Sequence, residues 1–306
     1  MRADASVMSR IAGQTGFLLR VLRQRVTRQD ADCPYCSSSD TEVVDRKRFV
    51  LQLRRCAQCR LMFRWPKETS DWNVSFYRNR YREGLVTELP DRREPRAAME
   101  LLPDEAARWF APKLAVLRAL VPAGRVLDYG SSWGYCTLQL KATGYDAVGF
   151  EISKPRANFG NARLGLNILH DPDALERYAG YFDVILASHV LEHLPSLFGV
   201  FDRFRLLLKP TGALLVFVPN CEGRNARKLG ARWGPMCCEK HPLAFEASFF
   251  EGILPQHGFP SVGTFSDPYD PPVIARLLAA SRRASGDLSG DELMVWAQKM
   301  SPTESA

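Results

Sequence analysis

The chain has 306 residues, 46% of them hydrophobic and 25% charged, with a formal charge of +7. This balance supports a packed core and excludes both a low-complexity disordered chain and a small disulfide-stapled module. The charge is uneven: residues 1–100 carry 20 Lys and Arg against 13 Asp and Glu, while residues 101–306 carry 21 of each.

Residues 1–30 read as a basic lead-in. Ile11, Phe17, Leu18, Leu19, Val21 and Leu22 alternate with Arg10, Arg20, Arg23, Arg25 and Arg28. That is the pattern of a transit peptide or a membrane-surface helix, without the apolar run of a secretory signal. A flexible, solvated basic segment explains it equally well, and the expected location is cytoplasmic. No stretch approaches the ~20 apolar residues that cross a bilayer.

Residues 31–66 hold Cys33-Pro-Tyr-Cys36 and Cys56-Ala-Gln-Cys59, with nineteen residues between Cys36 and Cys56. Two such knuckles complete a tetrahedron of thiolates around Zn²⁺, and four thiolates leave no open position. A small zinc ribbon with a structural metal is therefore expected, built on short strands at Glu42–Val44 and Phe49–Leu53. The other cysteines (Cys136, Cys221, Cys237 and Cys238) have no framework spacing and read as structural. Residues 67–103 are polar and rich in Tyr and Arg, a linker or lid in which Tyr77 and Tyr81 are candidates to cover a ligand.

Residues 104–266 alternate helix and strand patterns. Helices are predicted at Glu105–Leu120, Tyr135–Ala142, from Pro155, at Phe198–Leu208 and at Ser248–Gln256. Short apolar strands are predicted at Arg125–Asp128, Ala147–Phe150, Asn167–Leu169, Phe182–Ala187, Ala213–Val218 and Ser261–Phe265. Repeated βαβ units imply an α/β domain with a mostly parallel sheet and helices on both faces. Ligands of such sheets bind beyond the carboxyl ends of the strands. Residues 267–306 read as a C-terminal tail, weakening toward disorder at Ser301–Ala306 and showing no clear final strand.

The residues at those strand ends carry the chemistry. Asp128 ends a strand, and Gly130, Ser132 and Gly134 form a turn into a helix whose first N–H groups suit an anionic ligand group. The G-x-G-x-x-G spacing of dinucleotide sites is absent. Glu151 ends the next strand, where a carboxylate can accept from both hydroxyls of a ribose. "FDVILASHVLEHL" then runs a buried strand into a short helix with His189, Glu192 and His193 on one face.

The turn at Asp128–Gly134, the acid at Glu151, and "FDVILASHVLEHL" followed by "LLKPTGALLVFVPN" resemble class I S-adenosylmethionine-dependent methyltransferases, from about Arg125 to Phe259. "CPYC…CAQC" leading into a Tyr-rich stretch resembles a bacterial subgroup of them with an N-terminal zinc ribbon, associated with surface glycans and small molecules. The resemblance implies that Asp128, Gly130 and Gly134, with Ser132 where the family has a third glycine, hold the methionine end of the cofactor. It implies Glu151 at the ribose, Asp171 or Asp173 toward the adenine, and Ser188 and His189 beside the cofactor. It also places His189, His193 and His241 on the acceptor side, with His241 the first choice as a general base. The His189–Glu192–His193 pattern is similar to that of ubiquinone-biosynthesis O-methyltransferases, which implies a divalent metal near Glu192. Helix capping or bracing is the plainer role for Glu192 and His193.

The expected function is thus O-methylation of a small molecule or glycan. One alternative is an RNA methyltransferase that uses the basic ribbon region on phosphates, although stacking aromatics interleaved with Arg are lacking there. Another is a non-catalytic binding protein that keeps the fold.

Overall fold

The computed structural model describes residues 16–17, 19–26, 30–67, 71–72, 75–76 and 104–299. Tyr77, Tyr81, most of the 67–103 linker and Ser301–Ala306 lie outside these residues. The described part of 16–26 is helical. Three strands follow: β1 (Thr41–Lys47), β2 (Leu51–Cys56) and β3 (Met62–Trp65), paired antiparallel in that order.

The larger unit runs α1 (Asp104–Leu120), β4 (Arg125–Tyr129), α2 (Tyr135–Ala142), β5 (Asp146–Phe150), α3 (Lys154–Leu164) and β6 (Ile168–Leu169). It continues through β7 (Phe182–Ser188), α4 (Val200–Leu207), β8 (Leu208–Pro219), α5 (Arg224–Leu229), β9 (Leu243–Ala244), α6 (Ala247–Ile253) and β10 (Ser261–Ser266). It closes with α7 (Pro271–Ala280), β11 (Arg283–Ser285) and β12 (Glu292–Gln298). Eight of these strands form one sheet in the order β11-β10-β12-β8-β7-β4-β5-β6. Strands β8, β7, β4, β5 and β6 run parallel, and β12 runs antiparallel to both β8 and β10.

Both faces of the sheet are covered, so its strands read as continuous apolar runs. Adjacent residues point to opposite faces. Leu127, Ile185, Leu214 and Val216 join one buried cluster with Phe201, Phe204 and Phe249. Val126, Val184, Leu215 and Phe217 join another with Val116, Leu117 and Phe110.

Two features differ from the sequence reading. A final antiparallel strand, β12, does exist within the expected tail. It sits between two neighbours with Leu293 to Ala297 buried, so it shows no polar alternation to mark it as a strand. The short helix expected to carry His189 is only a 3₁₀ turn, Leu191–His193, and His189 precedes it with φ 54°.

The cysteine-bearing sheet is not self-contained. Its fourth strand is β9, which pairs antiparallel with β3 and comes from the segment after β8. Cys33, Cys56 and Cys59 share a buried cluster with Phe245, Phe249 and Leu243. The Tyr35 hydroxyl and His257 Nε2 share a hydrogen bond of 2.6 Å, and the Tyr35 ring meets that of Phe249 edge-on.

Candidate active site

All four knuckle cysteines are free of disulfides. Cys33 and Cys59 place their Sγ atoms 3.5 Å apart, as do Cys36 and Cys56, and the four Sγ atoms lie within 4.8 Å of one another. A tetrahedron with Zn–S bonds of about 2.3 Å has S···S edges of roughly 3.8 Å, whereas a disulfide is about 2.05 Å. The donor set and spacing fit one fully ligated zinc ion.

The glycine turn lies across the ends of β4 and β5. Asp128 is buried and accepts a 2.7 Å hydrogen bond from the Thr137 hydroxyl at the start of α2. Burial pushes its carboxyl up to about 6, against the pull of Thr137. Gly130 and Gly134 have φ of 84° and 98°, a region that side chains rarely adopt. A Cβ on Gly130 would strike Val190, and one on Gly134 would strike Leu166. The Gly130 contact seats the turn directly against the residue that follows His189. Ser132 takes a left-handed φ of 52° without being glycine.

Glu151, 7% exposed, reaches back to this turn. Its Oε2 accepts from the Ser132 N–H at 3.0 Å, and its Oε1 from the Ser153 N–H at 2.7 Å. Burial raises its pKa, opposed by those N–H groups and by Arg156. Ser131 Oγ and Ser188 Oγ, at the ends of β4 and β7, are buried with no hydrogen-bond partner among the described residues. Asp171 stands apart. It is exposed, and its Oδ1 accepts from the Asp173 N–H as the cap of a 3₁₀ helix, Pro172–Tyr178.

Across the turn sits a cluster of ionisable groups. His189 is clasped between two carboxylates, Nδ1 3.0 Å from Glu192 and Nε2 2.6 Å from Glu292. Burial pushes its pKa down, but the two carboxylates outweigh burial and hold it up at about 9. Lys113 on α1 also pairs with Glu292, at 2.7 Å, and Tyr269 donates to the other Glu292 oxygen at 2.7 Å. Glu192 is 1% exposed. Burial works against its charge, but His189 brings its pKa down to about 2.

His193 and His241 complete the cluster. The Nδ1 of His193 donates to the Lys240 carbonyl at 2.9 Å, and the Nδ1 of His241 to the Pro235 carbonyl at 2.7 Å. Burial lowers both pKa values, and His193 adds to the fall of His241 to about 4. Glu192, His193 and His241 each offer a ligand atom, and these atoms lie within 4.8 Å of one another. His241 is brought there by β9, since the Arg64 N–H beside β9 donates to the Pro242 carbonyl at 2.8 Å.

The structure thus gathers Asp128, Gly130, Ser132, Gly134 and Glu151 at one turn, with Ser188, His189, His193 and His241 around the end of β7. Glu292 and Lys113 belong to the cluster but escaped the sequence reading. A usable signal for Glu292 existed: an acid at the start of an antiparallel strand lies at the carboxyl ends of its parallel neighbours, and Glu292 pairs with Pro219 at the end of β8.

Comparison with known proteins places residues 77–262 in a family described as methyltransferase domain. Solved structures with a similar arrangement include a methyltransferase from Archaeoglobus fulgidus (17% identity, TM-score 0.45, covering 65% of this chain and 94% of that one). Two others are from Thermotoga maritima (20%, TM-score 0.45, covering 66% and 98%) and Mesorhizobium loti (17%, TM-score 0.43, covering 64% and 99%). Among curated proteins, none matches the sequence.

Proposed function

The chain belongs to the methyltransferase-domain family, as an S-adenosylmethionine-dependent enzyme, and from that premise we propose that it methylates a hydroxyl oxygen of a small molecule or glycan. The cofactor supplies an activated methyl group on a sulfonium. The residues at the strand ends fit it. Gly130 and Gly134 hold the left-handed turn packed against Val190 and Leu166, which would present its backbone to the cofactor, and Asp128 would take the amino-acid end. Glu151 would take the ribose, because a carboxylate that accepts two backbone N–H groups retains lone pairs for hydroxyls. Asp171 is assigned to the adenine side, and the unpartnered Ser188 hydroxyl to the cofactor's edge.

The observation that carries the oxygen-acceptor reading is the convergence of Glu192, His193 and His241 beside that turn. With both Nδ1 atoms donating to carbonyls, each ring leaves Nε2 as an acceptor. His241 is the proposed base for the acceptor hydroxyl, with His193 beside it. Two imidazoles and one carboxylate also fit a divalent cation near Glu192, which would lower the pKa of an acceptor hydroxyl. His189 is charged at neutral pH and is read as a positioning residue that fixes Glu192. The zinc at Cys33, Cys36, Cys56 and Cys59 is assigned a structural role.

The test supplies methyl-labelled S-adenosylmethionine with three acceptor pools: hydroxylated small molecules, glycans and total RNA. Alkali-stable label on oxygen in either of the first two is the expected result. Label confined to RNA would replace this reading with an RNA methyltransferase, and no saturable cofactor binding would leave a non-catalytic scaffold.

A further inference from the structure

We infer that the basic N-terminal module docks on an anionic lipid surface through the tip of the β1–β2 hairpin and the adjoining helical residues. The helical residues within 16–26 are apolar on two sides. Phe17 and Val21 are buried in a cluster with Leu51, Leu53 and Met62. Leu19, Leu22 and Val26 recur at i, i+3 and i+7 on a different face, and they are 62%, 46% and 83% exposed. A helix that only braced the ribbon would need the first stripe alone.

The hairpin tip repeats the arrangement. Phe49 is 95% exposed, the most exposed of the large hydrophobics among the described residues. It follows Arg46, Lys47 and Arg48 directly in sequence. A structural turn needs no phenylalanine there, since both Arg48 and Phe49 hold left-handed φ values of 53° and 59°. The two features form one patch, because Arg25 donates from Nη1 to the Phe49 carbonyl at 3.0 Å. That bond places the end of the Leu22–Val26 stripe beside the tip.

Charge selects the partner. Residues 16–26 contain Arg20, Arg23 and Arg25 and no acid, with Arg20 paired to Glu239 at 2.7 Å. Arg23, next to Leu22 in sequence, and Arg46 and Arg48, just before Phe49, are exposed. The nearby acid Asp45 is turned inward, its Oδ2 accepting from the Ala231 N–H at 2.7 Å. Exposed cations close in sequence to exposed Phe, Leu and Val suit a bilayer interface with anionic head groups, into which the apolar tips partition while the guanidinium groups stay at head-group level. An RNA partner would engage the arginines but gain nothing from the aliphatic stripe, because bases stack on aromatic and guanidinium planes. Among the described residues no helix is long and apolar enough to cross a membrane.

Vesicle sedimentation of the full zinc-loaded chain tests this. The protein should pellet with phosphatidylcholine vesicles that contain phosphatidylglycerol, not with phosphatidylcholine alone, and less as salt rises. Phe49→Asp, and separately Leu22→Asp with Val26→Asp, should each weaken pelleting at least about tenfold. Cofactor affinity and circular dichroism should not change, since all three positions are exposed. The emission that Phe49→Trp adds to that of the wild-type chain should shift to the blue when anionic vesicles are added. The inference is overturned by no anionic vesicle binding, by binding that survives both sets of Asp substitutions, or by an unshifted added emission in sedimented Phe49→Trp protein. Salt-sensitive RNA binding without vesicle binding would assign the surface to nucleic acid instead.

Discussion

The imidazole rings of His193 and His241 meet edge to face with their centroids 4.7 Å apart, and each ring donates its Nδ1 proton to a backbone carbonyl. Those bonds fix one tautomer and leave both Nε2 atoms as acceptors or ligands beside the Glu192 carboxylate. His241→Ala and His193→Ala should therefore lower kcat by roughly 10²–10⁴-fold, as expected for loss of a general base or its metal. Cofactor affinity should hold, because neither ring belongs to the glycine turn. Calorimetric titration of zinc-loaded protein with Mn²⁺ should show one site that both variants and Glu192→Gln lose. Loss of cofactor binding alongside turnover would move His241 out of the acceptor side.

His189 and Glu292 give a pH prediction. The folded pKa of His189 lies at about 9, above its ordinary value of 6.5. Its contribution to stability is therefore complete below pH 6.5 and lost as pH rises through 9. Glu292→Gln removes one of the two carboxylates and leaves Lys113 buried with a weaker partner, which should cost about 3–5 kcal/mol. The His189 ring protons should then titrate at lower pH in an NMR series. An unchanged titration midpoint would refute the ion-pair account of His189.

Asp128 is destabilising as a charge, and its proposed role is to hold the cofactor. Its folded pKa is raised to about 6 from 3.8 by burial. Stability from this group is thus full below pH 3.8 and falls as pH rises through 6. Asp128→Asn keeps an oxygen for the Thr137 hydroxyl and removes the buried charge. It should stabilise the fold at pH 8 by about 2–3 kcal/mol in denaturant melts, with the gain vanishing near pH 4. The same variant should bind cofactor at least about tenfold more weakly. A variant that is no more stable at pH 8 would show the charge to be already compensated.

Much of this architecture was legible because its signals are local. Asp128, Gly130, Gly134 and Glu151 sit at strand-to-helix turns, where apolar runs and small residues mark the ends of buried strands, and a parallel sheet fixes where those ends point. The rest depends on pairing at a distance. Glu292 meets His189 because β12 runs antiparallel beside β8, and β12 itself is hidden by being buried on both faces. His241 meets His193 because β9 completes the cysteine-bearing sheet, a pairing with no periodicity to announce it. The expected helix over 189–193 shortened because His189 adopts a left-handed φ between its two carboxylates, which helix periodicity does not encode.

Ser132 stands where the turn would favour glycine. At φ 52° a side chain costs roughly 1–2 kcal/mol relative to the right-handed region. Its N–H donates to Glu151, so backbone rather than side chain makes the contact with that carboxylate. Ser132→Gly should therefore raise stability or leave it level, since glycine also loses more chain entropy on folding. Cofactor affinity should be equal or tighter. A loss of affinity would show that the serine hydroxyl itself touches the ligand.

The cysteine cluster ties metal content to the proposed acceptor side. Four Sγ atoms within 4.8 Å predict one zinc per chain by elemental analysis of purified protein. Because β9 pairs with β3 and Pro242 accepts from Arg64, unfolding the ribbon releases His241 from its place beside His193. Cys36→Ser with Cys56→Ser should therefore lower turnover by the same roughly 10²–10⁴-fold as His241→Ala. The glycine turn and Glu151 lie on the larger sheet, but Cys33, Cys56 and Cys59 share a buried cluster with its Leu127 and Phe150, so cofactor affinity should fall, though less than turnover does. Full turnover in a zinc-free chain would show that His241 keeps its place without the metal-bound ribbon.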